Sequence, residues 1–158
     1  MFHLALVVVV IGLIIHVVRT HERTRERVGE LVMLYVLIGY CGVATLAVSL
    51  YSLWNGPAVA GMLGFPADNP FQDFVSVALL AMSILSLLSL RYRGAYLIGP
   101  AVVWSVFFVG ATFIHVGDFS AHGAMTHGTA LMIFATHGLI SGMLLTGLAM
   151  SGVWKAPG

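Results

Sequence analysis

The sequence predicts an all-α integral membrane protein with five transmembrane helices. Of its 158 residues, 59% are hydrophobic and 8% are charged, and the mean hydropathy is +1.01. A soluble domain of this size carries about a quarter charged residues, so a water-soluble globular protein is excluded. The apolar residues form continuous runs instead of alternating with polar ones, which favours helices over membrane-barrel strands. The formal net charge of +1 offers no basic surface for nucleic acid.

Charged and turn-forming residues divide the chain into five apolar runs. Each run is close to the roughly 20 residues that a helix needs to cross the bilayer core. We expect the spans at residues 2–18, 31–54, 74–90, 95–116 and 128–151. These spans leave no room for a separate soluble domain. Residues 1–158 are therefore expected to form a single five-helix membrane domain.

The cationic residues predict the orientation of these helices. If the N-terminus is outside and the C-terminus inside, all the Lys and Arg residues fall on the inner side, as the positive-inside rule requires. They are Arg19, Arg23, Arg25, Arg27, Arg91, Arg93 and Lys155. The expected location is the cell (inner) membrane, with several passes. The first inner loop alternates basic and acidic residues at helical spacing, which favours a solvated helical extension over docking to anionic lipid.

The outer loop at residues 55–73 is rich in Gly, Pro and Asn, which are turn-forming residues. Its apolar middle, 57–63, begins with Pro57, a residue suited to the first turn of a helix. We expect a short interfacial helix here, lying on the membrane surface or folded over the bundle.

A motif in this region is similar to that of a known group of proteins. It consists of Val59-Ala60, Gly64-Phe65-Pro66 and Pro70-Phe71-Gln72, followed by a helix, an inner Arg turn and a helix ending at 110–115. The pattern resembles an uncharacterised family of small polytopic bacterial and archaeal membrane proteins, DoxX-like in size and of unknown function. The likeness covers about residues 30–118. It implies a small helical membrane fold and transfers no mechanism.

Four potential metal ligands lie close together on the predicted outer side: His115, Asp118, His122 and His127. If the fourth helix continues beyond the membrane, the first three share one of its faces, at spacing i, i+3, i+7. His127 would approach from across the hairpin. Imidazole and carboxylate ligands suit Cu or Zn, with Asp118 alternatively orienting a histidine. In the other interpretation, these residues form a loop that binds nothing.

Two further histidines, His16 and His137, lie within predicted spans. An ionisable residue inside the membrane is a candidate for function, here as a haem or quinone contact. The alternative is a neutral imidazole that is hydrogen-bonded to a neighbouring helix. Because the two residues are expected at different depths, we do not expect them to share one haem.

Gly138 and Gly142 in the fifth span form a small-xxx-small motif, which allows helices to approach closely. The motif serves packing within the chain, or contact with other membrane subunits or a second copy. We therefore expect an accessory or assembly subunit of a larger membrane complex, surrounded by the lipid bilayer. The alternative is a metal-binding or redox protein acting at the outer membrane face. No acid-base pair or nucleophile triad is recognisable, so the sequence leaves enzymatic activity undecided.

Overall fold

A computed structural model describes the backbone of residues 2–63, 70–122 and 134–155, and the side chains of 3–60, 71–117, 120 and 136–155. Throughout these ranges the regular structure is helical, without strands, which confirms the predicted all-α class there. The principal helices are α1 (Phe2–Arg19), α2 (Arg25–Trp54), α3 (Gly56–Leu63), α4 (Pro70–Leu87), α5 (Ile98–His122) and α6 (Leu139–Ser151). Short 3₁₀ turns at Leu88–Leu90 and Gly94–Leu97 connect α4 to α5.

Three stretches are long and apolar enough to cross a membrane: Arg25–Trp54, Phe71–Leu90 and Gly94–Gly117. They correspond to the second, third and fourth predicted spans. The first predicted span is an apolar helix of shorter length, His3–Arg19. The fifth begins outside the described residues and is described only from Phe134 onward. A count of five spans, and the orientation, stay predictions. Helix α3 occupies the predicted segment of the outer loop, and its place on the membrane surface also stays a prediction.

Helix α2 begins at Arg25, within the charged loop, because Thr24 caps it. The Thr24 hydroxyl accepts a hydrogen bond from the Arg27 N–H at 3.2 Å. Arg27 also forms an ion pair with Glu30 at 2.8 Å, one helical turn further on. The helical extension expected from the alternating charges is therefore present from Arg25 onward.

The middle of α2, Val36–Ala44, is wound as a π-helix. The backbone N–H and the side-chain hydroxyl of Thr45 both donate to the carbonyl of Tyr40, five residues earlier, which satisfies the widened turn. A second π turn, Phe134–Gly138, leads into α6. Such turns are rare inside helices and often occur at functional sites.

Helix α2 is central to the bundle and contacts α1, α4 and α6. Its first half packs tightly on α6, where Gly29 faces Gly147. A Cβ atom on Gly29 would lie 2.6 Å from the backbone nitrogen of Ser151 and 2.8 Å from the Gly147 carbonyl oxygen. Only glycine allows two helix backbones to approach this closely.

Serine hydroxyls link α2, α4 and α5 inside the apolar core. Ser76 on α4 donates to the Ser52 hydroxyl on α2 at 2.7 Å. The fully buried Trp104 on α5 donates its indole N–H to Ser86 on α4 at 2.6 Å. Because water cannot reach these groups in a membrane, such pairs satisfy buried donors and fix the helices relative to one another.

The C-terminal segment returns to the start of α2. Gly152 adopts a left-handed conformation with φ of 64° and ends α6, and the Lys155 ammonium then lies 3.8 Å from the Glu26 carboxylate. Two of the predicted inner segments, the first basic loop and the C-terminal Lys155, therefore lie at the same end of the bundle.

Candidate functional site

Helix α5 is continuous through Gly117 and Ser120 to His122. The Ser120 hydroxyl donates to the Gly117 carbonyl at 2.8 Å, which supports this last part of the helix. The helical continuation required for the predicted metal site is therefore present in the backbone, with His115, Asp118 and His122 on one helix. The side chains of Asp118 and His122 lie outside the described part, as does the whole of His127.

The structure brings His115 together with His137, although the sequence pattern places the two residues in different groups. Their ring centroids are 6.1 Å apart and the ring planes make an angle of 35°. Helix α5 continues for seven residues beyond His115, or about 10 Å at 1.5 Å per residue. The histidine pair therefore lies about two helical turns before the end of α5, where α5 contacts the π turn that precedes α6.

His137 is partly buried against aromatic rings. Its imidazole lies 5.0 Å from the ring of Phe108, at 31° between the planes. Its Nδ1 atom is buried and has no hydrogen-bond partner among the described residues. Within the described part of the chain, the hydrogen bond expected from a neighbouring helix is therefore not made at this atom.

The two π segments meet at Phe108. Tyr40, from the π segment of α2, lies against this ring with the centroids 6.2 Å apart. His137, from the second π turn, lies against the same ring. The side chains of Tyr40 and Thr136 share a hydrogen bond that joins these two π segments directly. Trp104, one turn earlier on α5, stacks on Phe108 with the ring centroids 5.1 Å apart and is the fourth ring of the cluster.

Two imidazoles can supply two nitrogen ligands to a borderline metal such as Cu or Zn. Within the described residues no group of three or more His, Cys, Asp or Glu side chains is close enough to hold a metal ion. Asp118 is one turn beyond His115 on the same helix, which is the expected place for a third ligand. Haem or quinone contact at His137 stays a prediction.

His16 has a partner of its own. Its Nδ1 atom lies 3.0 Å from the hydroxyl of Tyr35 on α2, and the two rings meet edge to face with centroids 5.6 Å apart. His16 therefore has a hydrogen-bond partner on α2, and a haem or quinone contact at this residue stays a prediction.

No described residue of the chain packs against the two glycines of the predicted small-xxx-small motif. No described atom lies within 4 Å of a Cβ placed on Gly138 or on Gly142. Thr146, one turn beyond Gly142 on α6, is also exposed. Ala149, about two turns beyond Gly142, is exposed as well. We call these four residues, Gly138, Gly142, Thr146 and Ala149, the small-residue face. The glycine of α6 that packs within the chain is Gly147, which lies on the opposite side.

The chain is similar to a known family of proteins. The profile of the DUF6790 family, described as a family of unknown function, matches residues 1–155. No curated protein and no solved structure shows a significant match. Because the match extends over almost the whole chain, it confirms the expected kinship with small membrane proteins of unknown function. The chain belongs to the DUF6790 family.

Proposed function

We propose that the protein is an accessory or assembly subunit of a larger membrane complex, which it joins through the small-residue face of α6. The observation that carries the proposal is the open space at Gly142. This glycine is exposed in the first part of the apolar helix α6, and no described atom lies within 4 Å of its Cβ position. A glycine costs helix stability, so its presence there favours a close contact with another helix.

The same helix shows what such a glycine does when it has a partner. At Gly147, a Cβ atom would lie 2.8 Å from Met33 Cγ and 2.9 Å from the Gly29 carbonyl oxygen. Gly142, on the other side of α6, likewise has no side chain that would keep a second helix away. We expect a second helix, from another subunit or a second copy, to pack there.

Thr146 supplies an independent argument. Hydroxyl groups elsewhere in the bundle donate to the carbonyl four residues earlier, as Ser83, Ser105 and Thr112 do. Thr146 is exposed, and its hydroxyl makes no hydrogen bond to the described residues. In lipid an unpaired hydroxyl is unfavourable, and a partner helix would supply its acceptor.

The test compares Gly142→Leu with Ala81→Leu, which places the same side chain on an exposed position of α4. Both variants are extracted in a mild detergent, and the mass of the protein–detergent complex is measured by light scattering, with co-purifying subunits identified. Gly142→Leu should lose the partner while Ala81→Leu keeps it. Equal behaviour of the two variants would contradict the proposal.

A second candidate function rests on the histidine pair. We infer that His115 and His137, completed by Asp118 or another ligand of the outer loop, bind Cu or Zn. The support is the buried, unpartnered Nδ1 atom of His137 beside a second imidazole. A metal-binding or redox role at this end of the bundle is compatible with membership of a larger complex. The predicted ligands His122 and His127 belong to the same proposal.

A further inference from the structure

A long furrow follows the contact between α1 and α2, and its two ends differ in chemistry. The end near the C-terminus of α1 is a polar cleft lined by Gly12, Ile15, His16, Arg19, Thr20 and Tyr35. The remainder is an apolar groove, lined among others by Ala5, Val8, Gly39, Val43 and Ala47.

The cleft and the groove are two separate cavities that lie in line along α1 and α2, and together we call them the furrow. On α1, lining residues 5, 8, 12, 15 and 19 follow one another at intervals of three or four, so they lie on one face of the helix. On α2, lining residues 35, 39, 43 and 47 recur every fourth residue in the same way. Tyr35 and Gly12 touch at the junction, where a Cβ atom on Gly12 would lie 3.0 Å from the Tyr35 ring.

The polar end carries a cation without a counter-ion. Arg19 is exposed and makes no ion pair or hydrogen bond with its side chain among the described residues. Its neighbour Arg23 is engaged differently, donating to the backbone carbonyls of Val18 and Thr20. His16 and Tyr35 lie beside Arg19 in the cleft and add polar atoms at hydrogen-bond spacing from each other.

We propose that this furrow binds one anionic phospholipid, with the phosphate at Arg19 and one acyl chain in the apolar groove. The distance along α1 from Arg19 to Ala5 is about 21 Å at 1.5 Å per residue, enough to hold a chain that crosses one leaflet of a 30 Å bilayer core. A guanidinium at the membrane interface is the usual partner for a lipid phosphate. A partner helix is disfavoured, because it would need an acidic residue opposite Arg19 and small residues along the whole groove.

The experiment uses purified full-length protein and native mass spectrometry in a mild detergent. The probes are phosphatidylglycerol and phosphatidylcholine with identical acyl chains, and glycerol phosphate as a headgroup without chains. Phosphatidylglycerol should bind with one molecule per chain and more tightly than the other two. Arg19→Gln should weaken the binding of phosphatidylglycerol about fivefold to tenfold, since one interfacial cation is lost. Ala47→Leu should also weaken this binding, because the larger side chain fills the groove.

Two matched controls accompany these variants. Arg93→Gln removes a cation from the α4–α5 turn, and Ala81→Leu enlarges an exposed residue of α4. Both should leave lipid binding unchanged. Because all four sites are exposed, unfolding temperatures should agree among the variants. The proposal is overturned if phosphatidylcholine or glycerol phosphate binds as tightly as phosphatidylglycerol, or if Arg19→Gln and Arg93→Gln behave alike. These outcomes do not depend on α6 or on the histidine pair.

Discussion

The carbonyl oxygen of Gly29 lies 2.9 Å from the position that a Cβ atom on Gly147 would occupy. Met33 Cγ lies at 2.8 Å from the same position, but the Gly29 oxygen and the Met33 nitrogen are backbone atoms and cannot move aside, so one added methyl group forces α2 and α6 apart. We expect Gly147→Ala to lower the free energy of unfolding by about 1–3 kcal/mol. Gly110→Ala is the control, since no described atom lies within 4 Å of its Cβ position. Unfolding in detergent, followed by tryptophan fluorescence, measures both. A similar loss in both variants would show that this contact is not specific.

The indole of Trp104 anchors α5 to α4. Trp104→Phe removes the hydrogen bond to Ser86 and leaves a space, so we expect it to cost about 1–3 kcal/mol of stability. Trp54→Phe is the matched substitution at a residue that is 92% exposed, and it should change stability little. The comparison can be made by denaturant unfolding of the two variants under identical conditions. Equal midpoints would mean that the Trp104 bond contributes nothing.

The proposed metal site predicts that His115→Ala and His137→Ala each remove most of any bound Cu or Zn. His16→Ala should leave the metal content unchanged, because Tyr35 already engages that imidazole. Elemental mass spectrometry of protein isolated without chelators or an affinity tag gives the stoichiometry. Binding should also fail at acid pH, since ligand imidazoles must be deprotonated. Native protein without stoichiometric Cu or Zn would exclude the site.

The predicted orientation can be tested by cysteine labelling in intact cells. Ser120→Cys, on the outer part of α5, should react with an impermeant reagent, and Glu22→Cys, in the basic loop, should not. Within the basic loop, Glu22 is a better labelling site than Thr24, because a substitution at Thr24 would remove the cap of α2. The native Cys41 is fully buried and should stay unlabelled. Labelling at Glu22→Cys but not at Ser120→Cys would show that the orientation is the opposite one.

Hydropathy is sufficient to locate helices, because lipid requires continuous apolar stretches with internally bonded backbones. It therefore placed the three long helices and the α3 segment. Hydropathy did not mark the start of α2; the alternating charges predicted that extension, and the Thr24 cap and the Arg27–Glu30 pair stabilise it. The π segment at Val36–Ala44 left no signal in the apolar run, because every residue in it would also fit an α-helix.

Contacts between helices were harder to predict than the helices. His115 and His137 are 22 positions apart, and their approach depends on how α5 and the segment before α6 are rotated about their axes. Periodicity does not fix that rotation when nearly all faces are apolar. For the same reason, Gly142 and Gly147 look alike in the sequence, although one is exposed and the other packs against Gly29.

The π-helix at Val36–Ala44 also determines where α2 can change in length over evolution. A π turn accommodates an extra residue while the α-helical parts on either side keep their faces. A residue lost inside this segment would let the turn tighten into an α-helix. A residue lost between Thr45 and Tyr51 would instead rotate the helix beyond it by about 100° and turn Ser52 away from Ser76. Insertions and deletions that survive in related chains should therefore be concentrated in the π segment, which acts as a spacer for the rest of the helix.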